Sequence, residues 1–285
     1  MTTVAQELAA ARQQLAASSD SAALDGELLL GAVLGLGRTQ LLAGGDRLLT
    51  GAEVAVFETL LARRQAGEPV AYLTGSRGFW TLELRVTPAV LVPRPETELL
   101  VEMALELLPQ TTHSRVLDLG TGSGAVALAL AVERPGARID AVEASAAAAA
   151  VARSNAGRVG AGNVEIHTGH WFVPVADRCY RVIVGNPPYL AANDPYLPGL
   201  AHEPRAALVA GPTGLEAIAE ICAAAPAQLE SGGWLLLEHG AGQGAAVRGL
   251  FAAAGLSEIS TRRDLAGLER VTVGCWTAAG PAAPG

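Results

Sequence analysis

The 285-residue chain contains no lysine; all 20 of its basic residues are arginine. That excludes a Schiff-base amine and a P-loop lysine, and with them pyridoxal-phosphate chemistry and Walker-type ATP hydrolysis. Positive charge is scarce overall, because 28 acids against 20 arginines leave −8. A chain of that sign has no field of its own for phosphate, so nucleic acid is not an expected partner. There are three cysteines, Cys179, Cys222 and Cys275, far apart and without a C-x-x-C pair. They read as reduced core thiols of a cytosolic protein rather than as metal ligands, and no metal is expected. No apolar run approaches the ~18 residues of a membrane span. The opening MTTVAQELAAARQQ also lacks a basic stretch leading into an apolar one. Neither a membrane nor a secretory leader is therefore expected, and the protein is placed in the cytoplasm.

What is abundant is apolar and small. Half of the residues are hydrophobic, alanine fills 56 positions and glycine 33. A core can be buried without disulfides, and intrinsic disorder is excluded. At roughly 150 residues per domain the length makes one large domain or two. The bias towards Arg, Ala and Gly reads as a coding preference without catalytic meaning.

Residues 1–77 read as helices. VAQELAAARQQLAA, GELLLGAVLGL and GAEVAVFETLLARRQ place apolar residues at i, i+3, i+4 and i+7 with Gly or Asp between them. This stretch is acidic, which suits docking to a protein better than reading DNA. GFWTLELRVTPAVLV then alternates apolar and polar residues, and Thr87-Pro88 supplies a turn signal, so 78–92 is predicted to be a linking β-hairpin. Pro95 opens a helix. From Ser114 to about 277, strands alternate with helices of 10–15 residues. RVLDLG, ARIDAVEAS, VEIHTG, RVIVG, GGWLLLEHG, ISTRRDL and RVTVGCW supply the strands. The predicted fold class is α/β, a doubly wound and mostly parallel seven-stranded sheet over 93–277 with a small amino-terminal helical bundle. The run Ala146–Ala150 is read as helix. Residues 278–285 have no periodicity and are expected to be a disordered tail.

The first strand ends in Asp118-Leu-Gly120-Thr121-Gly122-Ser123-Gly124. Glycines at alternate positions let the backbone turn sharply and approach a ligand, and the next helix presents free N–H groups. The loop also fits a dinucleotide fingerprint through Ala125, with Glu143 at the end of the following strand. An acid two residues before the first glycine suits a ligand with a cationic amino-acid end better than a pyrophosphate. Three glycines in strict alternation resemble the first motif of Rossmann-like methyltransferases, whose cofactor is S-adenosyl-L-methionine. Glu143 is then the carboxylate for both ribose hydroxyls.

The fourth strand runs into Asn186-Pro187-Pro188-Tyr189, and ligands gather at the carboxyl ends of strands in such sheets. A planar amide or aromatic amine nitrogen is a poor nucleophile because its lone pair is delocalised. An enzyme that methylates it must accept hydrogen bonds from both N–H groups. The Asn186 side-chain carbonyl can take one and the main-chain carbonyl of Pro187, set by rigid φ angles, the other. Tyr189 is expected to supply a flat wall. Catalysis is then alignment plus electrostatic stabilisation by two carbonyls. The motif fits methylation of a glutamine amide and of the exocyclic amine of adenine or cytosine alike.

Further segments carry a closer likeness. Gly67-Glu-Pro-Val-Ala-Tyr-Leu-Thr-Gly75, Gly78-Phe-Trp80, Pro93-Arg-Pro-Glu-Thr-Glu98, His170-Trp-Phe172, Leu235-Leu-Leu-Glu-His-Gly240 and Glu269-Arg-Val271 closely resemble the HemK-like family of release factor glutamine N5-methyltransferases. The resemblance covers about residues 60–276, and the amino-terminal helices fit that family's substrate-docking bundle. It implies methyl transfer to the glutamine of the Gly-Gly-Gln loop of class 1 peptide chain release factors. It also implies cofactor contacts from Gly120 to Gly124, Glu143, Trp171 and Asn186, and a substrate glutamine held by Asn186, Pro187, Pro188 and Tyr189. A monomer is expected. Two features depart from the family: His170 stands where members usually have Asp, and Pro198–His202 is short and lacks the usual aromatic. Rival readings are a glutamine methyltransferase for a ribosomal protein, a nucleic-acid adenine N6-methyltransferase, and a non-catalytic cofactor-binding protein. His167 and His170 have no third ligand near in sequence, and Glu238-His239 reads as a structural hydrogen-bonding pair.

Overall fold

The computed structural model describes residues 2–111 and 113–277; the tail 278–285 expected to be disordered lies outside the described residues. Two compact units divide the chain, one ending at Ser76 and the other beginning at Arg77.

The first unit is helical: α1 (Val4–Leu15), α2 (Ala22–Leu34), α3 (Arg38–Ala43), α4 (Gly51–Gln65) and α5 (Val70–Thr74). Local chemistry starts two of them. The hydroxyl of Thr3 accepts from Gln6 N while the Gln6 side chain accepts from Thr3 N, and Thr50 with Glu53 repeats this reciprocal cap on α4. Such caps satisfy donors that the helix leaves open. The apolar stripes meet in a core of Leu15, Leu29, Leu30, Leu41, Phe57 and Leu61. At its edge the buried Asp25 pairs with Arg64 at 2.7 Å and accepts from the hydroxyls of Ser19 and Ser21, tying α2 to α4. Helices α3 and α5, of six and five residues, were not singled out in the sequence because so few residues complete less than two helical turns.

The second unit opens with β1 (Ser76–Phe79) and β2 (Leu82–Arg85), a hairpin that turns at Trp80-Thr81. The predicted hairpin over 78–92 is thus displaced: Thr87-Pro88 makes a separate turn closed by Val90 N donating to Thr87 O. Trp80 carries no turn signature, yet it sits at φ 56 because tertiary bonds hold it there. Its main-chain N donates to Glu98 and its indole Nε1 to Glu133, both at 2.8 Å.

The chain then runs α6 (Glu98–Leu107), β3 (Arg115–Leu119), α7 (Ala125–Glu133), β4 (Arg138–Glu143), α8 (Ala146–Val159), β5 (Val164–Thr168), β6 (Tyr180–Gly185), β7 (Leu190–Ala191), β8 (Val209–Gly211), α9 (Glu216–Ala224), β9 (Leu229–Glu238), α10 (Gly244–Ala253), β10 (Ser257–Arg263) and β11 (Glu269–Trp276). Seven strands form one sheet in the order β10-β11-β9-β6-β3-β4-β5. Pairings from β9 through β5 are parallel, and β11 alone runs against its neighbours.

Successive side chains of a strand face opposite sides, and here both sides are buried. Val116, Val182, Val184 and Leu236 pack against α6 and α7. Their neighbours Leu117, Ile183, Leu235 and Leu237 pack against α9 and α10. This explains why these strands read as unbroken apolar runs, as buried parallel strands do. Among the described residues no helix is long and apolar enough to cross a membrane.

One buried side chain ties the hairpin to the sheet's ligand end. Asn155 of α8, fully inaccessible, accepts from Arg85 N at 2.8 Å and donates through Nδ2 to the carbonyls of Arg85 and Ser123. Asn155→Ala strands three main-chain groups at once. It is expected to cost about 2–4 kcal/mol and to lower the melting temperature by roughly 5–10 °C. Thermal unfolding of the variant checks this, and an unchanged midpoint would refute the anchoring role.

Candidate active site

The central strands β3 and β6 are parallel neighbours, yet after β3 the chain returns to the sheet as β4 on one side, and after β6 it returns as β9 on the other. Loops that part in this way open a crevice beyond the strand ends. Both predicted motifs lie there.

On the β3 side, Gly120, Gly122 and Gly124 have φ of 70°, 56° and 88°, all in the left-handed region. A side chain at any of them would be strained. Gly120 N and Thr121 N donate to Val142 O, which pins the loop to β4. Asp118 is buried; its Oδ2 accepts from Thr121 Oγ1 at 2.6 Å and from Ala127 N at 3.2 Å. Burial nevertheless pushes its carboxyl up to about 6, with Glu143 adding to the rise. The Glu143 carboxylate accepts from Gly122 N at 2.9 Å and Ser145 N at 2.8 Å. It is thereby fixed in direction while lone pairs on both oxygens remain for a ligand.

On the β6 side, Asn186 follows Gly185, where an added Cβ would meet Leu119 O at 3.1 Å and Leu237 Cδ2 at 3.3 Å. Glycine is needed there for the strands to stay this close. Asn186 Nδ2 donates to Thr97 Oγ1 at 3.1 Å, and among the described residues no donor takes its Oδ1.

The two loops frame a cavity of about 460 Å³, within the range of small-molecule sites. Asp118, Gly120, Thr121, Gly122, Ser123 and Glu143 line it, as do Trp171, Asn186 and Pro188 from across the sheet. Gly124, Pro187 and Tyr189 are not part of the lining. Gly124 is the first cap of α7, and a Cβ there would meet Leu128 and Ala152. Pro187 is buried. Trp171 and Pro188 line the cavity where Tyr189 was expected to supply a flat wall; the Tyr189 ring packs on the core and its carbonyl accepts from Gln243 Nε2 at 3.0 Å. Burial raises its phenol to about 12.

The charge of the lining decides between ligand classes. Four carboxylates, Asp118, Glu143, Glu216 and Glu220, face the cavity with a single guanidinium, Arg94. That set suits a cationic ligand and opposes a pyrophosphate, which separates S-adenosylmethionine from a dinucleotide. The open space beside Gly122, where a Cβ would touch nothing within 4 Å, gives the ligand its approach to the backbone.

Several residues that complete the site carried no signal in the sequence. Glu220 of α9 accepts from the Trp171 indole Nε1 at 3.1 Å and lies 3.4 Å from His170 Nδ1, so a carboxylate stands at the place where His170 replaces the usual Asp. The buried Glu203 pairs with Arg94 and accepts from Val92 N, joining the short 197–208 segment to the cavity wall. Glu238, at the end of β9 beside the strand that leads into Asn186, is buried with Oε2 unpartnered among the described residues. Only its position on a strand end hinted at it.

Three smaller expectations change. Glu238 and His239 do not pair, because neighbours on a strand face opposite sides: His239 Nε2 meets Thr272 Oγ1 at 2.8 Å instead. Burial lowers the pKa of that imidazole. His167 lies beside Asp140 and Glu165, but the Arg178 guanidinium reaches all three and supplies the cation itself. Cys222 and Cys275 are core thiols, whereas Cys179 is exposed.

Two family models match the chain, the PrmC N-terminal domain over residues 6–75 and the methyltransferase small domain over residues 96–198. A release factor glutamine methyltransferase from Coxiella burnetii is 48% identical over 261 residues, covering 92% of this chain and 94% of that protein. One from Escherichia coli is 47% identical over 259 residues, covering 90% and 93%. Among solved structures, a methyltransferase from Pyrococcus furiosus matches with a TM-score of 0.54 at 16% identity, over 78% of this chain and 98% of that one. At that identity the likeness shows the fold alone.

Burial pushes the Glu238 carboxyl up to about 7 from 4.5, against the Thr97 hydrogen bond and Arg270. A raised acid pKa means that the folded protein holds this proton longer than the unfolded chain does. The associated stability is complete below about pH 4.5 and lost as pH rises through about 7. Glu238→Gln keeps the shape without the charge. Its melting temperature is therefore expected to exceed that of the native protein by several degrees at pH 8 and to match it at pH 5. Equal differences at both values would remove burial of this charge as the cause.

Proposed function

The chain belongs to the release factor glutamine methyltransferase family, and from that premise we propose that it methylates the side-chain amide nitrogen N5 of the glutamine in the Gly-Gly-Gln motif of class 1 peptide chain release factors, using S-adenosyl-L-methionine. The observation that carries this reading is the meeting of Asn186 and the glycine loop in one acid-lined cavity. The helical first unit is the proposed docking surface for the release factor, and the cytoplasm is the proposed location.

S-adenosylmethionine, when bound, supplies an electrophilic methyl group on a sulfonium. Gly120 to Ser123 would offer it main-chain groups, Glu143 the acceptors for its ribose hydroxyls, and the carboxylates of the lining a field that favours its positive charge. Trp171 and Pro188 would flank the flat parts of cofactor and substrate. Asn186 Oδ1 would accept one N–H group of the substrate amide and the main-chain carbonyl of Pro187, a residue otherwise buried outside the lining, the other, which would turn the nitrogen lone pair towards the methyl carbon. As the new N–C bond formed and the methyl–sulfur bond broke, its electron pair leaving with sulfur as a neutral thioether, both carbonyls would stabilise the positive charge that develops on nitrogen. No side chain has to act as a strong base, because the methylated amide is acidic enough to lose its proton to water. The absence of lysine therefore removes nothing that the reaction needs.

Asn186→Ala is expected to lower transfer by about 100-fold or more while cofactor binding, measured by calorimetry, stays detectable. Near-normal turnover would sink the role of the Asn186 carbonyl. The substrate assignment is checked with labelled S-adenosylmethionine and three acceptors: a purified release factor, the same factor with Ala in place of the Gly-Gly-Gln glutamine, and plain DNA. Label is expected in the first alone. Label in DNA, or equal label in both proteins, would replace this reading by the adenine or another protein site.

A further inference from the structure

We propose that the buried Glu238 carboxylate, acting through the Thr97 hydroxyl, fixes which way round the Asn186 amide sits and so keeps its carbonyl facing the substrate. The inference rests on the methyl-transfer reading above and names two positioning residues for it.

The register of the sheet brings these groups together. Gly185 of β6 is paired with Leu237 of β9, so the next residues, Asn186 and Glu238, stand side by side at the strand ends. Both fall on the side of the sheet that α6 covers, and Thr97 is the residue just before α6. Thr97 and Glu238 are both buried, Thr97 is close enough for its hydroxyl to oppose the rise of the Glu238 pKa, and Asn186 Nδ2 donates to Thr97 Oγ1 at 3.1 Å.

The polarity of this chain is set at its buried end. A carboxylate can only accept, so the single hydroxyl proton of Thr97 goes to Glu238. The lone pairs of Thr97 are then left towards Asn186, and only the NH2 end of an amide can meet them. Oδ1 must turn the other way, into the cavity, where the reaction needs an acceptor. An amide without this constraint could present either end, since the two are nearly isosteric. A buried carboxyl whose Oε2 has no partner is costly to keep, and this role gives it a reason to be there.

The same logic makes the device sensitive to protonation. The groups facing Glu238 are Thr97, Glu96 and Arg94 from the segment before α6, Tyr189 after β6, and Arg270 of β11. Once protonated, Glu238 can donate to Thr97 and the chain can run backwards, turning the Asn186 NH2 group towards the substrate. At saturating cofactor and release factor, kcat of the native enzyme is expected to fall below about pH 7. Titration of the Asp118 carboxyl, which burial raises to about 6 at the cofactor loop, is expected to show in cofactor affinity instead.

The test uses the full chain with Thr97→Val, Thr97→Ser and Glu238→Gln. Val is isosteric but breaks the relay, and Gln can offer NH2 to Thr97 and reverse it. Both are expected to lower kcat on the order of 10–100-fold, with cofactor affinity held within about threefold. Thr97→Ser is expected to recover most of the turnover that Val loses, and the decline of kcat below pH 7 is expected to vanish in Glu238→Gln. Native kcat in Glu238→Gln, or a loss of cofactor affinity as large as the loss of kcat, would overturn the proposal. If the native enzyme does not label a release factor, the functional reading fails on its own. Orientation is then read from the Asn186 side-chain amide protons by 15N NMR, expected to exchange slowly in the native protein and fast in Glu238→Gln. Equal exchange in both would overturn the positioning role.

Discussion

Two parallel strands, β3 and β6, lie next to each other at the middle of the sheet, and the chain leaves them in opposite directions. Both motif loops of the site are placed by this parting of the chain. The glycine loop leaves β3 and the Asn186 loop leaves β6. Gly185 suits the close approach of the strands, because a Cβ there would press on Leu119 O and Leu237 Cδ2 at 3.1 and 3.3 Å. The helices that cover both faces provide the rest, α7 following the glycine loop and α6 carrying Thr97 at the position just before its first turn.

The second organising constraint is electrostatic. The cavity collects carboxylates and buries some of them, which costs stability that the apolar faces of the sheet must supply. The arrangement makes sense for a ligand with a positive sulfonium and ammonium group and for a reaction in which a neutral nitrogen becomes cationic. Three of these carboxylates are held in direction by their own donors: Asp118 by Thr121 and Ala127, Glu143 by Gly122 and Ser145, Glu220 by the Trp171 indole. Fixed acceptors need not reorganise as charge develops, which is where electrostatic catalysis gains.

The two motifs could be read in advance because each is a contiguous run at a strand end, where backbone conformation and chemistry coincide. The wall of the cavity could not. Tyr189 is adjacent to Pro188 in sequence, but the chain turns its ring onto the core and Trp171 arrives from another loop. Glu238 and His239 looked like partners because they are neighbours, although a strand sends them to opposite faces. The hairpin was displaced for a related reason. Thr87-Pro88 has a local turn signal, whereas Trp80-Thr81 turns only because Glu98 and Glu133 hold the Trp80 main chain and indole.

What the amino-acid sequence determined by itself was everything governed by short-range periodicity and by composition. That includes the order of strands and helices, the glycine loop, the amide-handling motif, and the exclusion of lysine chemistry. Tertiary structure alone decided which side chains meet across the sheet: Thr97 with Asn186 next to the end of β9 that carries Glu238, Glu220 beside Trp171, Asn155 between the hairpin and the glycine loop. These contacts join residues separated by 32 to 89 positions in the cases of Asn155 with Ser123 and Asn186 with Thr97. Their partners are chosen by strand register and layer packing, and neither quantity is written in the local pattern of a single chain.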